Sequence, residues 1–206
     1  MNQIARLYVG TYSRPLIFGT GEVFEGKGKG IHAYLFDMEK GTLQEEGAPA
    51  EAANPSFVEL SADQKLLYAV NELTTFQGKK GGALNTYRRA EKGVLTLISQ
   101  KTTGGEDPCH VVTDREGKLV LVSNYSGGSL AVWPLDEEGV PVGEAQVIQH
   151  TGKGKNPVRQ EGPHVHSITL TRDEKFAVTA DLGLDELVLY PVDKKQGRLK
   201  EAEKII

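Results

Sequence analysis

The sequence contains little cysteine and no long hydrophobic run. Cys109 is the single cysteine in 206 residues, so an internal disulfide cannot form and a reducing compartment is expected. No window approaches the roughly 18 apolar residues that a membrane-spanning helix needs. The apolar stretch within residues 1–13 is too short and too interrupted for a signal peptide. We therefore expect a cytoplasmic protein that has no membrane partner.

An excess of positive charge is also missing. The formal net charge is −4, and acidic and basic residues are interspersed along the whole chain. A surface that binds nucleic acid normally carries a basic patch or stripe, so nucleic acid is not an expected partner. The hydrophobic content of 38% and the charged content of 25% are ordinary for a globular domain or a run of stacked repeats.

An internal repeat of about fifty residues dominates what is present. Pro108 follows Pro55 by 53 residues, and Pro163 follows Pro108 by a further 55. After each proline come a short alternating segment, a polar turn containing Asp and Lys, and a more apolar segment. Such runs are typical of strands buried to different extents. The three repeats are NPSFVELSADQKLLYAVNE, DPCHVVTDREGKLVLVSNY and GPHVHSITLTRDEKFAVTADL.

Each repeat continues into a third segment with an aromatic residue at a matching place, namely Tyr87, Trp133 or Tyr190. A turn with glycine and a fourth segment follow, and the first fifty residues fit the same scheme without its first strand. Four antiparallel strands per repeat predict an all-β fold, a β-propeller of which about four blades are present. A β-sandwich with uneven loops is the alternative.

The repeats divide one expected domain, residues 1–206, near 1–52, 53–106, 107–161 and 162–206. The last unit lacks a strand that could close a ring. Unpaired strand edges and a bare sheet face favour association. We therefore expect an incomplete propeller that belongs to a longer protein, is completed by another chain, or self-associates.

The segment NPVRQEGPHVHS is the strongest candidate for a site. It places Arg159, Glu161, His164 and His166 within eight residues before an inner strand. An imidazole can act as general base near neutral pH, and a guanidinium suits a phosphate or carboxylate. Histidines at i and i+2 project from one face of an extended chain and could bind a metal, but no third ligand has a fixed spacing. Histidines that only bond neighbouring blades are the structural alternative.

Polar residues at matching strand ends predict the rim of a pocket at one end of the channel. His110 follows Pro108 much as His164 follows Pro163, which suggests equivalent loops. His32 and His150 lie in a third strand and an outer segment, and both are expected to be structural or solvated. Cys109 is expected to be a small buried hydrophobe rather than a nucleophile. The residues predicted to bind substrate are Glu72, His110, Asn124, Tyr125 and Asp181.

These segments resemble the lactonase family of seven-bladed β-propellers, which includes a cycloisomerase-type 6-phosphogluconolactonase and the fungal carboxy-muconate lactonising enzymes. The resemblance implies a cytosolic enzyme that acts on a sugar lactone without a cofactor. It implies a site formed by Arg159, Glu161, His164 and His166, lined by His110 and Asn124. The family fold needs seven blades, and this chain supplies about four. The elements that carry the resemblance are LYVGTYS, NPSFVELSADQKLLYAVNE, DPCHVVTD, LVSNYSGGSLAVWPL and NPVRQEGPHVHS.

The favoured function is metal-independent hydrolysis of 6-phosphogluconolactone or a close sugar lactone. A histidine or Glu161 would activate water, and Arg159 would hold the phosphate or stabilise the oxyanion. One alternative is a lactonising cycloisomerase of a muconate-like diacid, in which Arg159 would hold a carboxylate. The other is a non-catalytic propeller that serves as an interaction platform.

Overall fold

The computed structural model describes residues 3–17 and 21–205. Within these residues antiparallel strands form nearly all regular structure, and the single helical element is a 3-10 turn over Glu91–Gly93. None of the described residues forms a helix that is long and apolar enough to cross a membrane. The strands assemble into consecutive sheets, which we number as blades 1 to 4.

Blade 1 has three strands, and its innermost position is empty, as the sequence predicts. Strand β1 pairs with β4, and β4 pairs with β5. A short hairpin, β2–β3, is inserted between β1 and β4 and extends toward the candidate site. The bounds are β1 (Ile4–Gly10), β2 (Leu16–Ile17), β3 (Val23–Phe24), β4 (Ile31–Asp37) and β5 (Thr42–Glu45).

Blade 2 is a four-stranded sheet in the order β6-β7-β10-β11, with the small hairpin β8–β9 inserted after its second strand. All six residues of the second strand are buried, whereas no residue of the outermost strand is fully buried. The bounds are β6 (Val58–Leu60), β7 (Leu66–Asn71), β8 (Thr75–Phe76), β9 (Lys79–Lys80), β10 (Ala83–Arg89) and β11 (Leu95–Thr102).

Blades 3 and 4 repeat this order. Blade 3 is β12-β13-β14-β15, and blade 4 is β16-β17-β18, with β19 and β20 both paired to β18. Their bounds are β12 (Pro108–Thr113), β13 (Leu119–Asn124), β14 (Ser129–Pro134), β15 (Gln146–Gln149), β16 (Val165–Leu170), β17 (Phe176–Asp181), β18 (Glu186–Asp193), β19 (Arg198–Leu199) and β20 (Lys204–Ile205).

The hydrophobic core consists of layers between successive blades. Because side chains alternate between the two faces of a strand, each blade sends one set toward each neighbour. Tyr68 and Leu84 of blade 2 pack with Val122 and Trp133 of blade 3 in one such layer. A second layer joins blades 3 and 4, and a smaller one joins blades 1 and 2. This stacking confirms the predicted propeller architecture and excludes the two-sheet sandwich.

The matched aromatic residues occupy one structural position. Tyr87, Trp133 and Tyr190 each stand in the third strand, opposite the same point of the second strand, and all three are buried. The repeat was visible in the sequence because the same packing site recurs in each blade.

Candidate active site

One backbone contact recurs where the inner strands of blades 2, 3 and 4 begin. In each blade the carbonyl oxygen of a residue in the connection that leads into the inner strand accepts a hydrogen bond, at 2.9 Å, from the amide of the residue that directly follows the second strand. His164 is the acceptor in blade 4, so it occupies the position of Asp107 in blade 3. The predicted equivalence of His164 with His110 is therefore wrong. The three acceptor–donor pairs are Asn54–Glu72, Asp107–Tyr125 and His164–Leu182.

The strand register explains the error. Pro108 faces Asn124, whereas the residue that faces Asp181 in blade 4 is Val165 and not Pro163. The matched residues Pro108 and Val165 are 57 positions apart, two more than the proline spacing. The prolines therefore misalign the fourth blade by two residues.

A cavity of about 240 Å³ lies beside these hydrogen-bonded backbone contacts. Polar side chains from blades 2 and 3 and from the connection 150–164 form its wall, and the β2–β3 hairpin contributes apolar atoms. Five of the nine predicted site residues meet here, which are Glu72, Tyr125, Arg159, Glu161 and His164. The other lining residues are Leu16, Ile17, Asp107, Ser126 and Val158.

Tyr125 organises the basic side of the cavity. The ring of His164 stacks on it with the ring centroids 4.6 Å apart and an interplanar angle of 17°. The Nη2 of Arg159 donates a hydrogen bond of 3.0 Å to the phenolic oxygen of Tyr125. The ring of His166 meets Tyr125 edge-on, with the centroids 5.6 Å apart. Tyr125 thus fixes the positions of a cation and an imidazole at one wall.

The contacts of His164 define its tautomer. Its Nδ1 lies 3.2 Å from the carbonyl oxygen of Tyr125, which can only accept, so Nδ1 carries the proton. In the neutral ring the lone pair is then on Nε2, which lies 3.3 Å from Oε1 of Glu161. The backbone of Glu161 and the nearby His164 hold the pKa of this carboxyl below its usual range. The Glu161 carboxylate can therefore stabilise an imidazolium that forms at His164.

Glu72 and Asp107 form the acidic wall. Burial raises the pKa of both carboxyl groups, and the charge of Asp107 adds to the effect on Glu72. The hydroxyl of Tyr12 donates a hydrogen bond of 3.0 Å to Oε2 of Glu72. The site therefore places a carboxyl group that holds its proton more readily than usual in the cavity that also contains His164.

Asp181 lies outside the cavity and supports the backbone at His164. Its Oδ1 accepts hydrogen bonds from the amides of His164 (2.8 Å), Gly183 (2.9 Å) and Leu184 (3.1 Å). Its Oδ2 lies 2.7 Å from Nδ1 of His150. Although burial opposes ionisation, these hydrogen bonds lower the pKa of Asp181, so the buried group is a carboxylate at neutral pH.

His150 completes this buried network. It follows β15 of blade 3 and crosses to blade 4, where its Nε2 lies 2.8 Å from the hydroxyl of Tyr190. Burial raises the pKa of Tyr190 to about 12, so the phenol keeps its proton and donates to the imidazole. His150 is expected from the sequence to be structural or solvated. The structure shows that it is structural and that it links the blade 3–4 interface to Asp181.

The family described as a lactonase with a seven-bladed β-propeller matches residues 6–205 of the chain. The chain belongs to the lactonase family. The resemblance inferred from the sequence motifs is thereby confirmed.

Proteins whose names describe a lactonase are similar over most of this chain. A 6-phosphogluconolactonase of Bacillus subtilis is 33% identical over 198 residues, which are 95% of this chain and 51% of the relative. A solved structure from Bacteroides fragilis, 32% identical, has a TM-score of 0.84 and covers 100% of this chain and 56% of that one. The periplasmic gluconolactonase of Pseudomonas aeruginosa, 30% identical, gives 0.81 with coverages of 96% and 53%. The chain spans about half the length of these lactonase relatives.

Four predicted site residues do not line the cavity. His110 packs its ring against Phe57, with the centroids 4.3 Å apart, and burial and the neighbouring His166 lower its pKa. Asn124 is fully buried, and its Nδ2 donates to the hydroxyl of Ser129 at 3.1 Å. His166 and Asp181 contact cavity residues from outside it, through Tyr125 and His164. The expected convergence of His110 or Asn124 with Arg159 and His164 is not seen.

The predicted His-x-His face is broken by a bulge. Val165 pairs with Asp181 and Ser167 pairs with Ala180, so His166 is an extra residue in β16. No group of three potential ligands that includes either histidine occurs within residues 3–17 and 21–205. One acidic trio does lie close together elsewhere, formed by Asp114, Glu116 and Glu174, and Nζ of Lys194 forms ion pairs with all three at 2.7–3.2 Å.

Cys109 is the extra residue of the matching bulge in β12, and it lies near the site. Its thiol donates to the carbonyl oxygen of His166 at 3.3 Å. Burial, helped by the charges of Glu72 and Asp107, raises the pKa of the thiol to about 12. The thiolate fraction at neutral pH is therefore far below that of a free cysteine, whose pKa is about 8.5.

We expect Cys109 to react with a disulfide reagent such as DTNB at least about 10³-fold more slowly in the native protein than in urea, because the thiolate is the reactive form. The rate of absorbance change in the two states measures this ratio. Equal rates in the native and unfolded protein would contradict the raised pKa of the thiol.

Proposed function

We propose that the protein hydrolyses a sugar lactone and that 6-phosphogluconolactone is its substrate. The arrangement of His164 between the Tyr125 carbonyl and Glu161 carries the proposal, because it leaves a basic nitrogen beside a carboxylate in a cavity with Arg159. The 6-phosphogluconolactonase name of the Bacillus subtilis relative supports the choice of substrate. Since this chain spans about half of that relative, the remaining blades would complete the ring and contribute further contacts.

In the proposed reaction His164 acts as general base. Its Nε2 takes a proton from water as the oxygen attacks the ring carbonyl, and Glu161 stabilises the resulting imidazolium. Tyr125 holds the opposite ring nitrogen, so the imidazole keeps one orientation through the step. His166 supports the Tyr125 ring from its edge and does not itself take the proton.

The lactone carbonyl becomes an oxyanion in the tetrahedral intermediate, and its collapse breaks the bond to the ring oxygen. We assign Arg159 to the anionic part of the substrate, either the phosphate or this oxyanion. Glu72 is placed to give a proton to the leaving ring oxygen, since burial raises its pKa and so favours the protonated form. The proton taken up by His164 then returns through solvent to Glu72, so that water adds across the ester without a net change in either side chain, and no redox step or cofactor is needed.

Arg159→Ala is expected to distinguish the two roles of the guanidinium. If Arg159 holds the phosphate, KM for 6-phosphogluconolactone should rise by about tenfold or more, and KM for gluconolactone should change little. If it stabilises the oxyanion, kcat should fall for both lactones. Arg88→Ala, which removes an exposed partner of Glu138, is the control. Unchanged constants for both lactones would remove Arg159 from the site.

The direct test of the function is hydrolysis by the full-length protein. Acid release from 6-phosphogluconolactone should exceed the spontaneous rate and depend on protein concentration. Gluconolactone is the second substrate to test, because a solved relative is a periplasmic gluconolactonase. Cycloisomerisation of carboxy-muconate without lactone hydrolysis would favour the lactonising alternative. Absence of turnover with all three compounds would favour an interaction platform.

We further propose that the protein acts in the cytoplasm. The unpaired cysteine fits a reducing compartment, and sugar phosphates are metabolites of that compartment. Cell fractionation tests this assignment, and recovery of the protein from the periplasm would overturn it.

A further inference from the structure

A second, larger cleft lies between blades 1 and 2. Its volume is about 840 Å³, within the range of small-molecule sites, and it shares no lining residue with the candidate active site. The lining side chains that matter here are Arg14, Lys29, Asn71, Asn85, Tyr87 and Gln100. The hydrophobic layer between these two blades is smaller than the layers between the other blades.

At this cleft blade 2 carries a polar pair, a buried asparagine and an exposed glutamine. Asn85 in β10 pairs with Gln100 in β11. The corresponding pair in blade 3 is Ala131 with Val147, and Ala131 belongs to the layer packed between blades 2 and 3. In blade 4 the position of Asn85 is taken by Val188, which is also in a packed layer. Blade 2 is therefore polar where its neighbours are apolar.

These amides form a chain of hydrogen bonds that runs from the exposed Gln100 to the buried residues Asn85 and Tyr87. Nε2 of Gln100 donates to Oδ1 of Asn85 at 3.1 Å, and Nδ2 of Asn85 donates to the hydroxyl of Tyr87 at 3.2 Å. Asn85 is only 2% exposed. Because burial raises the pKa of Tyr87, its hydroxyl keeps a proton and can donate it onward. Burying Asn85 where the other blades bury an alkyl group costs free energy, which a polar ligand would offset.

Asn71 offers an unused acceptor at the same cleft. It is 3% exposed, its Nδ2 donates to the carbonyl oxygen of Ala53 at 2.7 Å, and its Oδ1 has no hydrogen-bond partner among the described residues. A buried carbonyl oxygen without a donor is uncommon in native proteins. A ligand hydroxyl that reaches Asn71 would satisfy it.

The rim of the cleft carries positive charge. Arg14 and Lys29 are exposed, and neither forms an ion pair with any other described residue, whereas Glu51 is the single acidic residue of the lining. The backbone amide of Arg14 donates to Oδ1 of Asn54 at 2.9 Å, which anchors its segment beside blade 2. The rim thus provides two cations above a floor of amide and hydroxyl groups.

We propose that the cleft between blades 1 and 2 is a second binding site for a small polyhydroxylated anion, a sugar acid or a sugar phosphate. The amides and Tyr87 bind hydroxyl groups, and Arg14 and Lys29 bind the anionic group. The proposal does not depend on lactone hydrolysis, because it concerns binding at different residues.

Calorimetric titration of the full-length protein tests the site. The Arg159→Ala variant removes the anion contact of the candidate active site, and D-gluconate, 6-phospho-D-gluconate, D-glucitol and inorganic phosphate are the probes. We expect one of the two sugar anions to bind, with D-glucitol and phosphate each at least about tenfold weaker. Preference between gluconate and its phosphate identifies which anion the rim selects.

Two sets of variants locate the binding. Asn85→Ala with Gln100→Val reproduces the pair of blade 3 and should weaken binding at least about tenfold while leaving lactone hydrolysis unchanged. Arg14→Ala with Lys29→Ala changes only exposed side chains and should reduce sugar-anion binding to the level of D-glucitol. The proposal is overturned if no probe binds, or if the folded variants bind as tightly as the parent protein.

Discussion

Replacement of His164 by alanine is expected to lower kcat for lactone hydrolysis by about 10²–10⁴-fold, the range associated with loss of a general base. The physical reason is the basic Nε2 that faces Glu161 and the cavity, while Nδ1 is bound to the Tyr125 carbonyl. KM should change less, because Arg159 and the polar wall still bind substrate. Steady-state kinetics of the full-length protein with both lactones measures the effect.

His166→Ala is the matched control for this substitution. The two histidines are two residues apart and contact the same tyrosine, but only His164 lines the cavity. We expect less than about a tenfold decrease in kcat for His166→Ala. A larger decrease in kcat for His166→Ala than for His164→Ala would reassign the general base to His166. In that case the imidazole of His166 would have to face the substrate in the complete propeller.

His150→Ala is expected to lower the free energy of unfolding by about 3 kcal/mol, since it leaves the buried carboxylate of Asp181 without one of its hydrogen-bond donors. The side chains of His150 and Asp181 are 4% and 0% exposed, and the hydroxyl of Tyr190 would lose its acceptor as well. Urea denaturation of the full-length protein and the variant gives the difference. His150→Gln should restore part of it, because its amide can still donate to Asp181.

His32→Ala provides the contrast. His32 also pairs with a carboxylate, Glu45, at 2.8 Å, but that carboxylate is 52% exposed. Exposed ion pairs contribute between zero and about 1 kcal/mol, so the loss should be smaller than that of His150→Ala. Equal losses for the two variants would show that burial of Asp181 does not control the energetics of the network.

The fold could be predicted from the sequence because each blade of the propeller repeats the same packing positions. Tyr87, Trp133 and Tyr190 fill one position in successive blades, so their spacing indicates the length of the blade repeat. Arg159, Glu161 and His164 also lie close together in the structure, as their spacing in the sequence indicates. They belong to one connection, so their proximity does not depend on pairing between distant parts of the chain.

The remaining features depend on long-range pairing that leaves no local pattern. His150 is buried because Asp181, 31 residues later, folds against it. The register of blade 4 could have been read from the polar strand ends Asn71, Asn124 and Asp181, which the structure aligns and which are spaced by 53 and 57 residues. The prolines are a poorer guide, because Pro108 begins β12 whereas Pro55 and Pro163 stand in connections before their inner strands.

The length of the connection 150–164 has a consequence for how this scaffold can change. Only five residues, 103–107, join β11 to β12, whereas fifteen join β15 to β16 and carry Arg159, Glu161 and His164. Most of residues 151–161 are exposed, and none belongs to a hydrophobic layer. Insertions and substitutions there would alter the chemistry facing the cavity at little cost to folding. Substrate preference can therefore diverge within this connection while the blades stay the same.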